Sequence, residues 1–281
     1  MNISAQHFRE LGMPHFEKVF AALDDVMREH DVPCYLIGAA AKDLQALRSG
    51  IRPVRYTNDI DFAIMVPDHA AYRSILEALL RSGFHATRLP YRVVHTTTDS
   101  IVDVLPFGGI EEQGTVRFDE RETELVMLGF SEVMQQAEAL PLADGRTLHV
   151  PPLPGMCLLK LLAFGDRPDR LKDLSDIRTV IDQYFDVALE HITTEHADLF
   201  DEEPFDRNRC AARAIGRHIG STIASNPRAV AHLRSTLELH LADPDTSHIA
   251  IQWARESGTS TTGTFGWLQA LHQGFQERVT G

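Results

Sequence analysis

Asp59 and Asp61 are the residues of this chain whose type and spacing best suit chemistry. They stand two apart in Thr57-Asn58-Asp59-Ile60-Asp61-Phe62. On a strand, alternate residues share a face. Two carboxylates side by side repel each other and cannot be buried without compensation. A hard divalent ion, Mg²⁺ or Mn²⁺, would supply it, because such an ion takes a few carboxylates and keeps places for water and phosphate oxygens. Ile60, Phe62 and Ile64 alternate with the acids as the buried face. The segment by itself is equally compatible with an exposed strand carrying two surface acids.

Two further segments bear on that choice. Asp103 is a lone carboxylate in the apolar run Ser100-Ile101-Val102-Asp103-Val104-Leu105-Pro106-Phe107. A buried acid needs a partner. A third metal carboxylate on a neighbouring strand would account for it, and such a group could accept the proton of an attacking hydroxyl. An arginine or backbone amides would account for it too. The stretch Tyr35-Leu36-Ile37-Gly38-Ala39-Ala40-Ala41-Lys42-Asp43 reads as a strand, a glycine turn and a helix. Small residues there let the backbone approach phosphate oxygens, and the leading amides of the helix point at negative charge. Such turns also arise for packing alone.

The elements that must position these residues follow from periodicity. Apolar residues at 16, 19, 20, 23 and 26 predict a helix over 16–30. Cys34–Ile37 predicts a buried strand, Ala39–Leu47 a helix and Asp59–Val66 a second strand. Pro67-Asp68 ends that strand and caps a helix over 69–82, with Tyr72, Ile75, Leu76, Leu79 and Leu80 on its apolar side and Gly83 as its stop. Arg92–His95 and Ser100–Leu105 read as paired strands, with 125–128 and 147–150 as further candidates, the latter after the turn Asp144-Gly145. Pro151-Pro152-Leu153-Pro154-Gly155 is the strongest punctuation in the chain. Beyond it the pattern is helical, over 156–164, 172–185, 207–223, 227–241, 248–255 and 265–279. The expected class is therefore α+β: a mixed sheet flanked by helices over 1–150, then a helical domain over 151–281. The acidic stretch 195–206 reads as a solvated loop.

Taken together, the glycine turn, the Asp-x-Asp and the later acid resemble the DNA polymerase β-like nucleotidyltransferase superfamily. The wording of the turn and of residues 57–62 is most similar to the AbiEii/AbiGii toxin branch. The turn also resembles the Gly-Gly-x-x-Arg-Asp of CCA-adding enzymes. Ala39 departs from the usual Ser or Gly, which removes a hydroxyl contact to phosphate, and Lys42 replaces a fork-shaped Arg by a point charge. Leu158-Leu159-Lys160-Leu161-Leu162-Ala163-Phe164, then Arg167 and Lys172-Asp173-Leu174-Ser175-Asp176-Ile177, are similar to later motifs of that branch. The resemblance implies a catalytic domain over 1–150 that holds metal on Asp59, Asp61 and Asp103 and binds an NTP through Gly38, Ala39 and Lys42. It implies that Lys160 offsets triphosphate charge and that Asp173 orients Lys160 or touches nucleotide or acceptor. The structural alternative for Lys160 is an ammonium that snorkels to water; for Asp176 it is a surface acid.

The implied reaction is transfer of an NMP from NTP to an acceptor, with tRNA 3′ ends or protein hydroxyls as acceptors in the branch and a cognate antitoxin as a partner. A small-molecule (antibiotic-type) nucleotidyltransferase and a non-catalytic binding protein that retains the fold are the rival readings. The formal net charge of −13 over 281 residues argues against broad binding to nucleic acid. Arg209, Arg213 and Arg217 share a helical face, which could hold an RNA backbone or could offset the acidic stretch. Arg167, Arg170, Lys172 and Arg178 cluster by sequence near Lys160. Cys34, Cys157 and Cys210 lie far apart and read as small buried side chains rather than ligands. No secretory leader and no membrane-spanning run is apparent, so a cytoplasmic protein is expected.

Overall fold

The element order follows the alternation of short apolar runs and helical stripes. The computed structural model describes residues 3–51, 59–118 and 123–279. It divides into two compact units between Pro152 and Leu153. The first unit contains helices α1 (Ala5–Glu10) and α2 (Phe16–Glu29), strand β1 (Cys34–Ile37), α3 (Gly38–Arg48), β2 (Asp59–Met65) and α4 (His69–Arg81). It continues through β3 (Phe84–Ala86), β4 (Arg92–His95), β5 (Ser100–Phe107), β6 (Thr115–Phe118), β7 (Thr123–Val126), α5 (Phe130–Met134), β8 (Glu138–Pro141) and β9 (Thr147–Val150).

Seven strands form one mixed sheet in the order β3-β4-β5-β2-β1-β9-β8. The β2–β5 and β1–β9 pairs are parallel, and the remaining pairs are antiparallel. One face of β2 is apolar as the alternation requires: Ile60, Phe62 and Ile64 are buried. Helix α2 turns Phe16 and Phe20 onto that face, with ring centroids 6.2 Å and 5.8 Å from Phe62. The acids of β2 therefore stand on the face that the aromatic core does not use. Asp68 caps α4 by accepting the Ala71 amide at 2.8 Å. The α4 hydroxyl of Tyr72 donates to the Val104 carbonyl at 2.9 Å, next to Asp103. This ties the helix to the strand that carries the third acid.

Several elements differ from expectation. β5 runs on to Phe107 through Pro106, which a central strand would reject; β4 pairs only with residues 100–103, so nothing on that side needs the missing amide. β7 starts at Thr123 rather than Leu125 and pairs with β6 in a separate hairpin. The short elements α1, β3, β6, α5 and β8 carry too few residues for a periodic signal. Leu80, placed on the apolar side of α4, is 42% exposed. Thr57 and Asn58 lie outside the described residues.

The second unit holds α6 (Leu153–Asp166), α7 (Leu171–Val187), α8 (Leu189–Glu195), a 3₁₀ turn (Ala197–Asp201), α9 (Arg207–Ile223), α10 (Pro227–His240), α11 (His248–Ser257) and α12 (Thr261–Val279). α6 begins earlier than expected, because Pro154 suits the first turn of a helix, where its missing N–H costs nothing. Part of the acidic stretch is likewise ordered, with Leu199 buried beneath the 3₁₀ turn. Cys157 and Cys210 are buried as expected, and Cys34 is half-buried. Among the described residues no helix is long and apolar enough to cross a membrane.

Replacing Tyr72 by Phe removes one buried hydrogen bond to β5. The expected loss of stability in chemical denaturation is about 1 kcal/mol. A variant as stable as the parent would mean that the hydroxyl contributes nothing to holding the strand.

Candidate active site

Strand register brings the expected acids together. Across the sheet, Arg92 of β4 stands opposite Asp103 of β5, Asp103 opposite Asp61 of β2, and Asp61 opposite Ile37 of β1. Asp59 lies two residues before Asp61 and shares its face. Each of Asp59, Asp61 and Asp103 offers a carboxylate oxygen, and the three oxygens lie within 4.8 Å of one another. The Asp59 side chain is 41% exposed and that of Asp103 only 10%, so the cluster grades from solvent into the sheet. The donors are hard oxygens with no His or Cys among them. That set fits a hard divalent ion such as Mg²⁺ or Mn²⁺.

Gly38 follows Ile37 directly, and its identity is forced twice. Its φ is +69°, in the left-handed region. A Cβ built there would lie 2.1 Å from Asp61 Oδ2. The Asp61 carboxylate thus fills the space that a side chain at position 38 would need. Gly38 opens α3, whose N-cap, Ile37, provides no side-chain cap, and no acid sits in the first turn. Gly38 and Ala39 are half-buried. Lys42, one turn further on, is buried and lies 3.4 Å from Asp43.

A bidentate contact to the cluster comes from Arg92, which the sequence shows only as the start of a strand. Its Nε and Nη2 donate to Asp103 Oδ1 and Oδ2 at 2.6 Å and 2.8 Å. The same guanidinium is 3.6 Å from Asp59 Oδ2. The hydrogen bonds to Asp103 hold the Arg92 pKa above its ordinary value. Both partners suggested for Asp103 are therefore present: it joins two other carboxylates, and it pairs with an arginine.

A second charged cluster lies in the second unit. Lys160 of α6 donates to Asp176 Oδ2 at 2.7 Å and to Asp173 Oδ1 at 3.0 Å, both from α7. Arg170 donates to the other oxygen of Asp173. Burial works to lower the Lys160 pKa, but the attraction of Asp176 and Asp173 overcomes it and the pKa is raised, so the side chain stays an ammonium. The side chain is 16% exposed, which is a part-buried ion pair rather than a snorkelling lysine. Asp176, expected as an alternative to be a surface acid, is the nearer partner. Arg178 is engaged by Asp182 and Glu256.

The arginine face of α9 is also neutralised. Arg213 pairs with Glu202 and Glu277, and Arg217 pairs with Asp198 and Glu277. Arg209 lies 3.8 Å from Glu202. Arg217 is 7% exposed. These side chains bind the acidic stretch and α12 to α9, so they form neither an open basic stripe nor a freely solvated face.

No family model and no curated protein sequence matches the chain. Among solved structures, the chain is similar to ANT(2″)-Ia in complex with adenylyl-2″-tobramycin, at 16% identity over 70% of this chain and 97% of that one, with a TM-score of 0.38. It is similar to an antigenic nucleotidyltransferase-like protein from Paracoccidioides brasiliensis at 17% identity, covering 65% and 89%, with a TM-score of 0.37. It is similar to a CCA-adding enzyme with ATP at 12% identity, covering 98% and 85%, with a TM-score of 0.32. At such identities and scores these likenesses carry no weight beside the carboxylate geometry.

Two substitutions test the site. Gly38→Ala places a methyl group on Asp61 and leaves a left-handed backbone that costs about 1–2 kcal/mol. Thermal stabilisation by Mn²⁺ is expected to fall about tenfold in apparent affinity, and an unchanged titration would show that Asp61 is not held by the turn. Lys160→Met leaves Asp173 and Asp176 facing each other without the ammonium. The expected cost is about 2–3 kcal/mol in urea denaturation, and a neutral result would show that the triad of charges is not structural.

Proposed function

We propose that this chain is a metal-dependent nucleotidyltransferase of the DNA polymerase β-like type. The observation that supports this most is the set of three carboxylates, from two parallel strands, with oxygens within 4.8 Å of one another behind a glycine-led helix. The reaction is attack by an acceptor hydroxyl on the α-phosphate of an NTP. The acceptor O–P bond forms, the bond to the β-phosphate oxygen breaks, and pyrophosphate leaves. Bound divalent ions supply Lewis-acid stabilisation of the attacking and departing oxygens.

The residues of the chain contribute position and charge. Asp59, Asp61 and Asp103 would hold the metal, and Asp103 could accept the proton of the hydroxyl. Gly38 and Ala39 would present backbone amides to the triphosphate, with Lys42 one turn behind them. A backbone site of this kind does not require the hydroxyl that Ala39 lacks. The roles of Lys160 as a counter-charge to the triphosphate and of Asp173 as its orienting partner rest on the resemblance; the bond of Lys160 to Asp173 fits an orienting partner, while Asp176 takes the same ammonium.

The acceptor is the finer part of the proposal. The resemblance to the AbiEii/AbiGii branch favours a toxin of a toxin–antitoxin or phage-defence system acting on tRNA or protein. Within that pair, the net charge of −13 and the pairing of Arg213 and Arg217 with carboxylates favour a protein hydroxyl.

The test is incubation with Mg²⁺ or Mn²⁺ and each α-labelled NTP in turn, with total tRNA, cell protein or a small-molecule extract as acceptor. Label is expected on a macromolecule, and the Asp59→Ala/Asp61→Ala variant is expected to lose at least about a hundredfold in rate, the equivalent of about 3 kcal/mol of transition-state stabilisation. Label on a small molecule would move the acceptor to the antibiotic-type class. No variant-sensitive transfer to any acceptor, together with no NTP binding, would overturn the enzymatic reading in favour of a binding protein.

A further inference from the structure

Arg92 poses a problem for any metal bound by the triad. Its guanidinium occupies both oxygens of Asp103 at 2.6 Å and 2.8 Å and comes within 3.6 Å of Asp59. A divalent ion held by the triad would draw on the same carboxylate oxygens. Two cations cannot take the same oxygens at full strength, because like charges a few ångströms apart repel strongly where water is partly excluded. Bidentate guanidinium–carboxylate pairs are also the strong class of charged hydrogen bond. Yet the Arg92 side chain is 29% exposed. It is long and flexible, so it has both room and freedom to withdraw.

We infer that Arg92 is a resident counter-cation of the triad, which steadies Asp103 and Asp59 without metal and must surrender an Asp103 oxygen before a divalent ion binds. Arg92 is thus a positioning residue that sets the strength of metal binding. This rests on the proposed function, since it takes the triad to be a metal site. It differs from a purely orienting role in the sign of its effect. An arginine that only held Asp103 in place would strengthen metal binding; a resident counter-cation weakens it.

The experiment uses the full chain, stripped with EDTA and titrated with Mn²⁺, with free Mn²⁺ read by electron paramagnetic resonance. Thermal melting with and without metal runs beside it. The variants are Arg92→Gln, Arg92→Lys and, as control, Asp61→Asn. Arg92→Gln is expected to melt earlier than the parent without metal, to bind Mn²⁺ about tenfold more tightly, and to gain more in melting temperature from it. Arg92→Lys keeps the charge and loses the fork, so its affinity is expected to fall between the two. If Arg92→Gln does not fold, Arg92→Lys carries the test, with tighter binding than the parent expected. Equal or weaker Mn²⁺ binding in the folded variants would overturn the inference and leave the metal site intact. A parent that takes up no Mn²⁺ sensitive to Asp61→Asn would overturn the metal-site reading, and the inference with it.

Discussion

Three carboxylates held in one patch of a sheet repel one another, and the first unit is arranged around that repulsion. The parallel pairing of β2 with β5 puts Asp61 opposite Asp103. The period of the strand puts Asp59 on the same face. Neither acid of β2 can turn to the other face, because Phe62 and its neighbours are locked there against α2. A slip of β2 by one residue would bury both acids in the aromatic core and expose Phe62. The hydrophobic side of the sheet therefore enforces the electrostatic problem on the other side. Gly38 and Arg92 answer it locally, one by giving Asp61 space and the other by bringing charge.

The second unit meets the same constraint with pairs that close on themselves. Lys160 sits between Asp173 and Asp176, and Arg170 takes the remaining oxygen of Asp173. On α9, Arg213 and Arg217 share Glu277 and each takes a further acid from the 198–202 segment. Buried charges with partners on several sides fix the relative placement of helices more than they add net stability. The contrast with the triad is physical. In the second unit each acid named meets a positive group, whereas Asp59, Asp61 and Asp103 also converge on one another.

What was legible in the sequence was whatever a local pattern encodes. Asp59 and Asp61 show by their spacing, Asp103 by being the lone acid in an apolar strand, and Gly38 by ending a strand before an alanine-rich helix. Arg92 was within reach. The predicted strands Arg92–His95 and Ser100–Leu105 are separated by four residues, and closing that turn puts 95 opposite 100 and hence 92 opposite 103. What was missing was the register step, not the strands. The acidic stretch was within reach as one partner of the α9 arginines, and Asp198 and Glu202 of it do pair with them; Glu277 was not, because it is some sixty residues away and only the packing of α12 on α9 brings it there. The β6–β7 pair was legible only in part: the predicted strand over 125–128 overlaps β7, but β6, with which it pairs outside the main sheet, was not predicted.

The convergence of three carboxylates is what separates a catalytic reading from a merely structural one. Asp59, Asp61 and Asp103 bring their oxygens within 4.8 Å of one another, and Arg92 pairs with Asp103 and approaches Asp59. A chain that needed only the fold would lower its free energy by replacing Asp61 or Asp103 with an apolar residue, since well-packed apolar groups commonly outperform buried ionic ones. A binding protein that had lost its chemistry would have no reason to hold the acids in register across two strands, nor to keep at position 38 a residue without a side chain so that a carboxylate can stand there. A divalent ion would meet both objections, because it would turn the convergence of oxygens from a cost into a coordination shell.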